Sequence, residues 1–309
     1  MKRILVIGSA NMDLSLNVYR VPERGETVCD NGGVAYTPGG KGANAAVAFK
    51  KLGADISFSA KLGADLHGQQ LYTYYRDLGL DTSLIKVDRD MPTGFATVIK
   101  EPDGQNRIIY YPGANSHITT EQMIEAFERA RPDALFIGFE ISFETALAAA
   151  RIANSRNIPI FVDAAPASKS YALESLPEME IFSPNETETY EFTGIMPQGA
   201  DSCLRAALAL WRRVKCKYLV IKLGARGCCV YDGKHFDMIP AAQVEKVVDT
   251  TAAGDTFTAA LVLAYLRSPV INAAARYATA AAAITVSRIG ATSSIPTAEE
   301  VKDFIIKNG

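Results

Sequence analysis

Asp249-Thr-Thr-Ala-Ala-Gly-Asp255-Thr-Phe257 sets small residues directly before a carboxylate. It then runs on into good helix formers, Thr258 to Leu266. Small side chains let the backbone N–H groups of Ala252, Ala253 and Gly254 converge on one point. A helix N-terminus adds the positive end of its dipole there. That is a hole for an anion, best suited to a phosphate in transfer. Asp255 stands beside it as a group able to take a proton from a hydroxyl. The same local pattern also suits a plain helix start with a capping Asp.

Far upstream, Gly39-Gly40-Lys41-Gly42-Ala43-Asn44 leads into a helix that runs to Gly53. The glycines allow a polar ligand close to the backbone, and Asn44 on the first turn can bond sugar hydroxyls. This is not a Walker A loop, which needs Gly where Ala35 sits and Ser or Thr where Gly42 sits. Asn11 and Asp13 follow the first apolar run at i and i+2, so both can face one side. Glu140 directly follows the apolar run Leu135–Phe139, as a sugar ligand or as a surface residue at a strand end.

The elements that must position these groups read as βαβ units. Helices are expected at 42–52, 66–78, 120–130, 142–155, 200–213, 253–266, 272–287 and 297–307. Strands are expected at 4–7, 56–60, 134–138, 158–163, 180–183, 217–222 and 228–231. Such alternation predicts an α/β fold with a mainly parallel central sheet flanked by helices. Its active site then lies at the carboxyl ends of the strands. Two stretches break the pattern. Residues 13–20 alternate Leu14, Leu16 and Val18 with polar side chains. Thr93–Tyr111 carries Asp103-Gly104 at its middle, a hairpin signal. They read as one small antiparallel sheet projecting from the main domain.

Five segments match, in order and spacing, the signatures of the ribokinase-like (carbohydrate kinase) superfamily. They are Gly8–Asp13, Gly39–Asn44, Pro184–Glu188, Leu223–Gly227 and Asp249–Phe257. The resemblance spans nearly the whole chain, 1–309, and implies one kinase domain with a lid formed by segments at about 13–38 and 93–112. It makes Asn11, Asp13, Gly39, Gly40, Lys41, Asn44 and Glu140 sugar ligands. Asp255 becomes the base, with Ala252, Ala253 and Gly254 donating to the transferred phosphoryl group. ATP is placed along Asn185, Lys222, Gly224, Ala225, Gly227 and Gly254, with Thr279 lining the adenine pocket where Asn or His is commoner. Asn185 and Glu188 would organise magnesium and phosphates, partly through water; the same residues also suit a helix cap. A potassium site is implied at Asp249, Thr251, Thr285, Arg288 (by its carbonyl), Gly290 and Ser294.

Gly39–Asn44 and Ala165-Pro166-Ala167 look most like the ribose-phosphorylating member that gives the superfamily its name. The expectation is therefore ATP-dependent phosphorylation of D-ribose to ribose 5-phosphate. Deoxyribose, a ketohexose, a sugar acid or a nucleoside stay open as substrates, as does a sugar- or nucleotide-binding protein without turnover. A homodimer contact is expected through the lid.

Composition agrees with an ordinary globular enzyme. Of 309 residues, 48% are hydrophobic and 21% charged, with a net charge of −2. Well-mixed charges give no nucleic-acid surface. The N-terminal apolar run is too short for a signal peptide, and no stretch is long enough to span a bilayer. The five cysteines (Cys29, Cys203, Cys216, Cys228, Cys229) are odd in number and lack metal-ligand spacing. That points to a reducing cytoplasm. No Gly-x-Gly-x-x-Gly follows the first strand, which argues against a dehydrogenase.

Overall fold

Along the first strand, Ile4 and Val6 enter one apolar core while Leu5 and Ile7 enter another. Period-two alternation of side chains explains the split, because a strand covered on both faces must be apolar on both. In the computed structural model, which describes residues 2–29, 32–101 and 106–308, this strand is an interior strand of the larger of two sheets, third from one edge.

The strands are β1 (Arg3–Ile7), β2 (Asn11–Asn17), β3 (Val34–Gly39), β4 (Asp55–Gly63), β5 (Ile85–Asp88), β6 (Gly94–Lys100), β7 (Asn106–Tyr111), β8 (Ala134–Gly138), β9 (Ile160–Asp163), β10 (Met179–Ser183), β11 (Cys216–Lys222), β12 (Cys228–Tyr231) and β13 (Phe236–Ile239). The helices are α1 (Lys41–Lys51), α2 (Leu66–Asp77), α3 (Thr120–Ala130), α4 (Phe143–Ser155), α5 (Glu186–Thr193), α6 (Ala200–Trp211), α7 (Ala253–Arg267), α8 (Ile271–Val286) and α9 (Ala298–Asn308).

The large sheet has the order β13-β12-β11-β10-β9-β8-β1-β4-β5. Its strands are parallel from β5 to β11, and β12 and β13 close one edge antiparallel. Helices α1, α2, α7, α8 and α9 pack on one face, and α3, α4, α5 and α6 on the other. Strand order reverses between β1 and β8. At such a switch point the flanking loops part and leave a crevice at the carboxyl ends.

The small sheet has the order β3-β2-β6-β7. Its outer pairs are antiparallel, but the central pair, β2 with β6, is parallel, which corrects the all-antiparallel reading. Both strands rise from carboxyl ends of large-sheet strands through short links, so they run the same way. The Asp103-Gly104 turn lies outside the described residues. The edge strands β5 and β13 and helix α5 are additions to the expected set. Among the described residues, no helix is long and apolar enough to cross a membrane.

Candidate active site

Helix α7 starts from an unusual residue. Ala252 sits in the left-handed region at φ 61° and caps the helix without a side-chain bond. A non-glycine residue there carries strain, which tends to persist at functional turns. The first-turn N–H groups of a helix lack intrahelical partners; that of Ala253 donates to the Thr250 carbonyl in the preceding loop at 3.3 Å. The space above Gly254 is open, with no heavy atom within 4 Å of where a Cβ would stand. Asp255 is one residue on, buried to 6% exposure.

The glycine-rich turn comes to meet it. A Cβ on Gly42 would fall 2.5 Å from the Gly8 Cα, so only glycine lets α1 start against the end of β1. The turn delivers Asn44, whose Nδ2 donates to Asp255 Oδ2 at 2.8 Å. It also brings Lys41 Nζ to 3.9 Å from Asp255 Oδ1. Burial pushes the Asp255 carboxyl above its usual range, against the Lys41 charge and the Asn44 bond. Asp255 in turn raises the Lys41 ammonium.

Glu140, at the end of β8, accepts from the Ser9 hydroxyl and from the Lys41 N–H at 2.9 Å. It thus holds the N-terminus of α1, as a carboxylate near a helix start should. Tyr110 from the small sheet donates to the Glu140 carbonyl at 3.0 Å. Asn11 and Asp13 lie on one face of β2. Asn11 Oδ1 accepts from Asn115 Nδ2 at 2.7 Å. Asp13 Oδ1 is buried and without a hydrogen-bond partner. Burial, Glu140 and Asp255 push the Asp13 carboxyl up to about 7, with Lys41 opposing. Gly39 and Gly40 fit beside it; a Cβ on Gly39 would fall 2.0 Å from Asp13 Oδ2. Ser9, Lys41, Glu140, Asp163 and Asp255 all line one small cavity.

The next part of the site depends on a residue that sequence reasoning passed over. Asp163, at the end of β9, is buried to 4% exposure. Its Oδ2 accepts from Lys222 Nζ at 2.7 Å and from Thr258 Oγ1 at 2.6 Å. Thr258 is on α7, one turn beyond Gly254, so this carboxylate ties β11 to α7. A buried ammonium stripped of its partner is costly. Asp163→Ala is expected to lower unfolding stability by about 3 kcal/mol or more. Adding Lys222→Thr should restore most of it. Urea midpoints check this, and a loss under about 1 kcal/mol would place the pair with weak surface ion pairs.

Asn185 and Glu188 bond each other reciprocally. Asn185 Oδ1 accepts from the Glu188 N–H at 2.8 Å, and Glu188 Oε2 accepts from the Asn185 N–H at 2.7 Å. This is the capping box of α5. Burial raises the Glu188 carboxyl, Lys222 lowers it and Asp163 raises it, so the group faces the Lys222–Asp163 pair. Gly224 and Ala225 lie in a short 3-10 turn between β11 and β12. Gly227 serves the fold: its missing Cβ leaves room for the Ile239 carbonyl, 2.0 Å from where that atom would stand. Thr279, on α8, is buried and spends its hydroxyl on the Arg276 carbonyl at 2.8 Å.

Of the residues expected at the cation site, the structure brings Asp249, Thr251 and Gly290 together. Asp249 Oδ1 accepts from the Thr251 N–H at 2.9 Å and hydroxyl at 2.6 Å, and Oδ2 from the Gly290 N–H at 3.3 Å. The Thr285 and Ser294 hydroxyls bond carbonyls of their own segments, Ala281 and Ala291. The Arg288 side chain turns to Glu300 at 2.6 Å.

A family model described as pfkB family carbohydrate kinase matches residues 1–298. Ribokinase of Haemophilus influenzae is 34% identical over 307 residues, which cover 98% of each chain. The structure of Arabidopsis thaliana ribokinase complexed with ribose and ATP superposes with a TM-score of 0.87 at 29% identity, covering 98% of each chain. Thermotoga maritima ribokinase superposes with a TM-score of 0.84 at 33% identity, covering 99% of this chain and 100% of that one.

Proposed function

The chain belongs to the pfkB family of carbohydrate kinases, and on that premise we propose that it transfers the γ-phosphoryl group of ATP to the primary hydroxyl of D-ribose, giving ribose 5-phosphate. The observation that carries this reading is the meeting of Asp255, Asn44 and Lys41 at the open first turn of α7. Asp255 accepts the hydroxyl proton as the oxygen attacks phosphorus. The N–H groups of Ala252, Ala253 and Gly254 take up charge on the phosphoryl oxygens. Phosphoryl transfer is mainly positioning and charge stabilisation, so the hole counts as much as the base. Asn11, Asp13, Gly39, Gly40, Asn44 and Glu140 surround the sugar. Lys222, Gly224, Ala225 and Thr279 flank the nucleotide.

Magnesium would come with the ATP phosphates and offset their charge. Asn185 and Glu188, engaged with each other, suit holding it through water, in keeping with an ion that keeps its own waters. Among the described residues, no cluster of three or more acidic, His or Cys side chains offers a complete cage. A potassium ion would be held at Asp249, Thr251, Thr285, the Arg288 backbone carbonyl, Gly290 and Ser294, where the Asp249 carboxylate fits a cation.

The small sheet acts as a lid over the sugar and keeps water from ATP. The face opposite Asp13 carries Val34, Tyr36, Ile109 and Tyr111, all exposed. An apolar row of that kind suits a homodimer contact. The buried thiols of Cys203, Cys216, Cys228 and Cys229 fit a cytoplasmic enzyme.

A coupled ATP assay with D-ribose, deoxyribose, a ketohexose, a sugar acid and a nucleoside tests the reading. Ribose is expected to have the highest kcat/KM. A ketohexose or nucleoside ahead by about tenfold would refute ribose and leave the kinase chemistry standing. Binding without turnover for every sugar would favour a sensor.

A further inference from the structure

Asp249 already holds a cation. Lys100 Nζ stands 3.4 Å from Asp249 Oδ2, the oxygen that also accepts from the Gly290 N–H. The ammonium comes from the last residue of β6 in the small sheet, 149 residues away in the chain. Its acidic neighbour Glu101 is occupied by Arg107. The Asp249 side chain is only 14% exposed, so water screens the pair less than it would a surface contact.

We propose that Lys100 is a tethered substitute for the monovalent cation, competing with it for Asp249, so that this enzyme keeps most of its activity without added potassium. The inference rests on the reading of the Asp249 loop as the cation site. An ammonium and a potassium ion carry the same charge, and two such charges cannot share one carboxylate oxygen without strong repulsion. What the bound ion would do is neutralise Asp249 where the 286–294 segment meets the loop before α7. Lys100 does that from a strand, at a concentration fixed by the fold. Potassium must displace it to bind, so its apparent affinity is weakened.

The test compares the parent and Lys100→Met in potassium chloride and in tetramethylammonium chloride, at equal ionic strength and constant magnesium. Parent kcat is expected to agree within about twofold between the salts, while Lys100→Met loses about tenfold without potassium and regains it on addition. A second readout needs no turnover. Potassium should raise the Tm of ligand-free Lys100→Met and leave that of the parent nearly still, because an ion stabilises only the protein that binds it. Lys100→Arg, which keeps the charge, should follow the parent.

A parent that collapses without potassium overturns the inference, even if Lys100→Met does not fold. An equal potassium requirement in both proteins overturns it too and leaves the cation site in place. If potassium moves neither kcat nor Tm in Lys100→Met, the cation-site reading itself falls, and the inference with it.

Discussion

Asp255→Asn is expected to lower kcat by about a thousandfold or more, the size of effect for a positioned general base. The substitution keeps the shape of the side chain and its place on α7 but removes the proton acceptor. Sugar KM should change by no more than about threefold, since most of the proposed hydroxyl contacts come from other residues. The Asp255 carboxyl is under opposing effects: burial raises it, while Lys41 and the Asn44 bond hold it down. A variant within about tenfold of the parent would remove Asp255 from the chemistry. Steady-state rates at saturating ATP and ribose decide it.

Much of this site was legible because its chemistry sits in short runs. The proposed anion hole and base fall within nine residues, Asp249–Phe257, and the turn that meets them within six, Gly39–Asn44. Spacing alone was enough to suspect both. Most expected helices agree with the structure to within two residues, because caps mark their starts: Asp65 before α2, Thr119 before α3 and Ser142 before α4.

What escaped notice depends on partners far apart in sequence. Asp163 meets Lys222 across 59 positions, Asn115 meets Ala10 across 105, Ser9 meets Glu140 across 131 and Lys100 meets Asp249 across 149. A buried Asp ending the apolar run Ile160-Phe-Val-Asp163 was the one local signal for Asp163, of the kind already read at Glu140. The edge strands β5 and β13 have four residues each. A period of two cannot be counted over so short a run. Helix α5 is short and rich in Thr, a poor helix former, so only its cap at Asn185 could be read ahead; its capping box holds it.

The second large effect is expected at Asp13. One of its oxygens is buried without a hydrogen-bond partner. If that carboxylate accepts two hydroxyls, Asp13→Ala leaves both unpaired in a closed site. Sites built around a hydroxyl discriminate strongly when a partner is lost. The fall in kcat/KM for ribose should reach about a thousandfold, with ATP KM nearly unchanged. The same group should cost the free protein stability. Its carboxyl is raised from 3.8 to about 7, chiefly by burial. The folded state therefore holds a proton that the unfolded state has released between those values. The contribution of Asp13 is most favourable below pH 4 and is lost as pH rises through 7. Asp13→Asn removes the titration, so its Tm advantage over the parent should be absent at pH 4 and grow to a plateau above pH 7. Melting curves across that range, beside ribose kinetics at pH 8, test both halves. An Asp13→Asn protein that is less stable than the parent at pH 8, or that keeps its ribose kcat/KM, would show that this carboxylate is held in place for structure and not for the sugar.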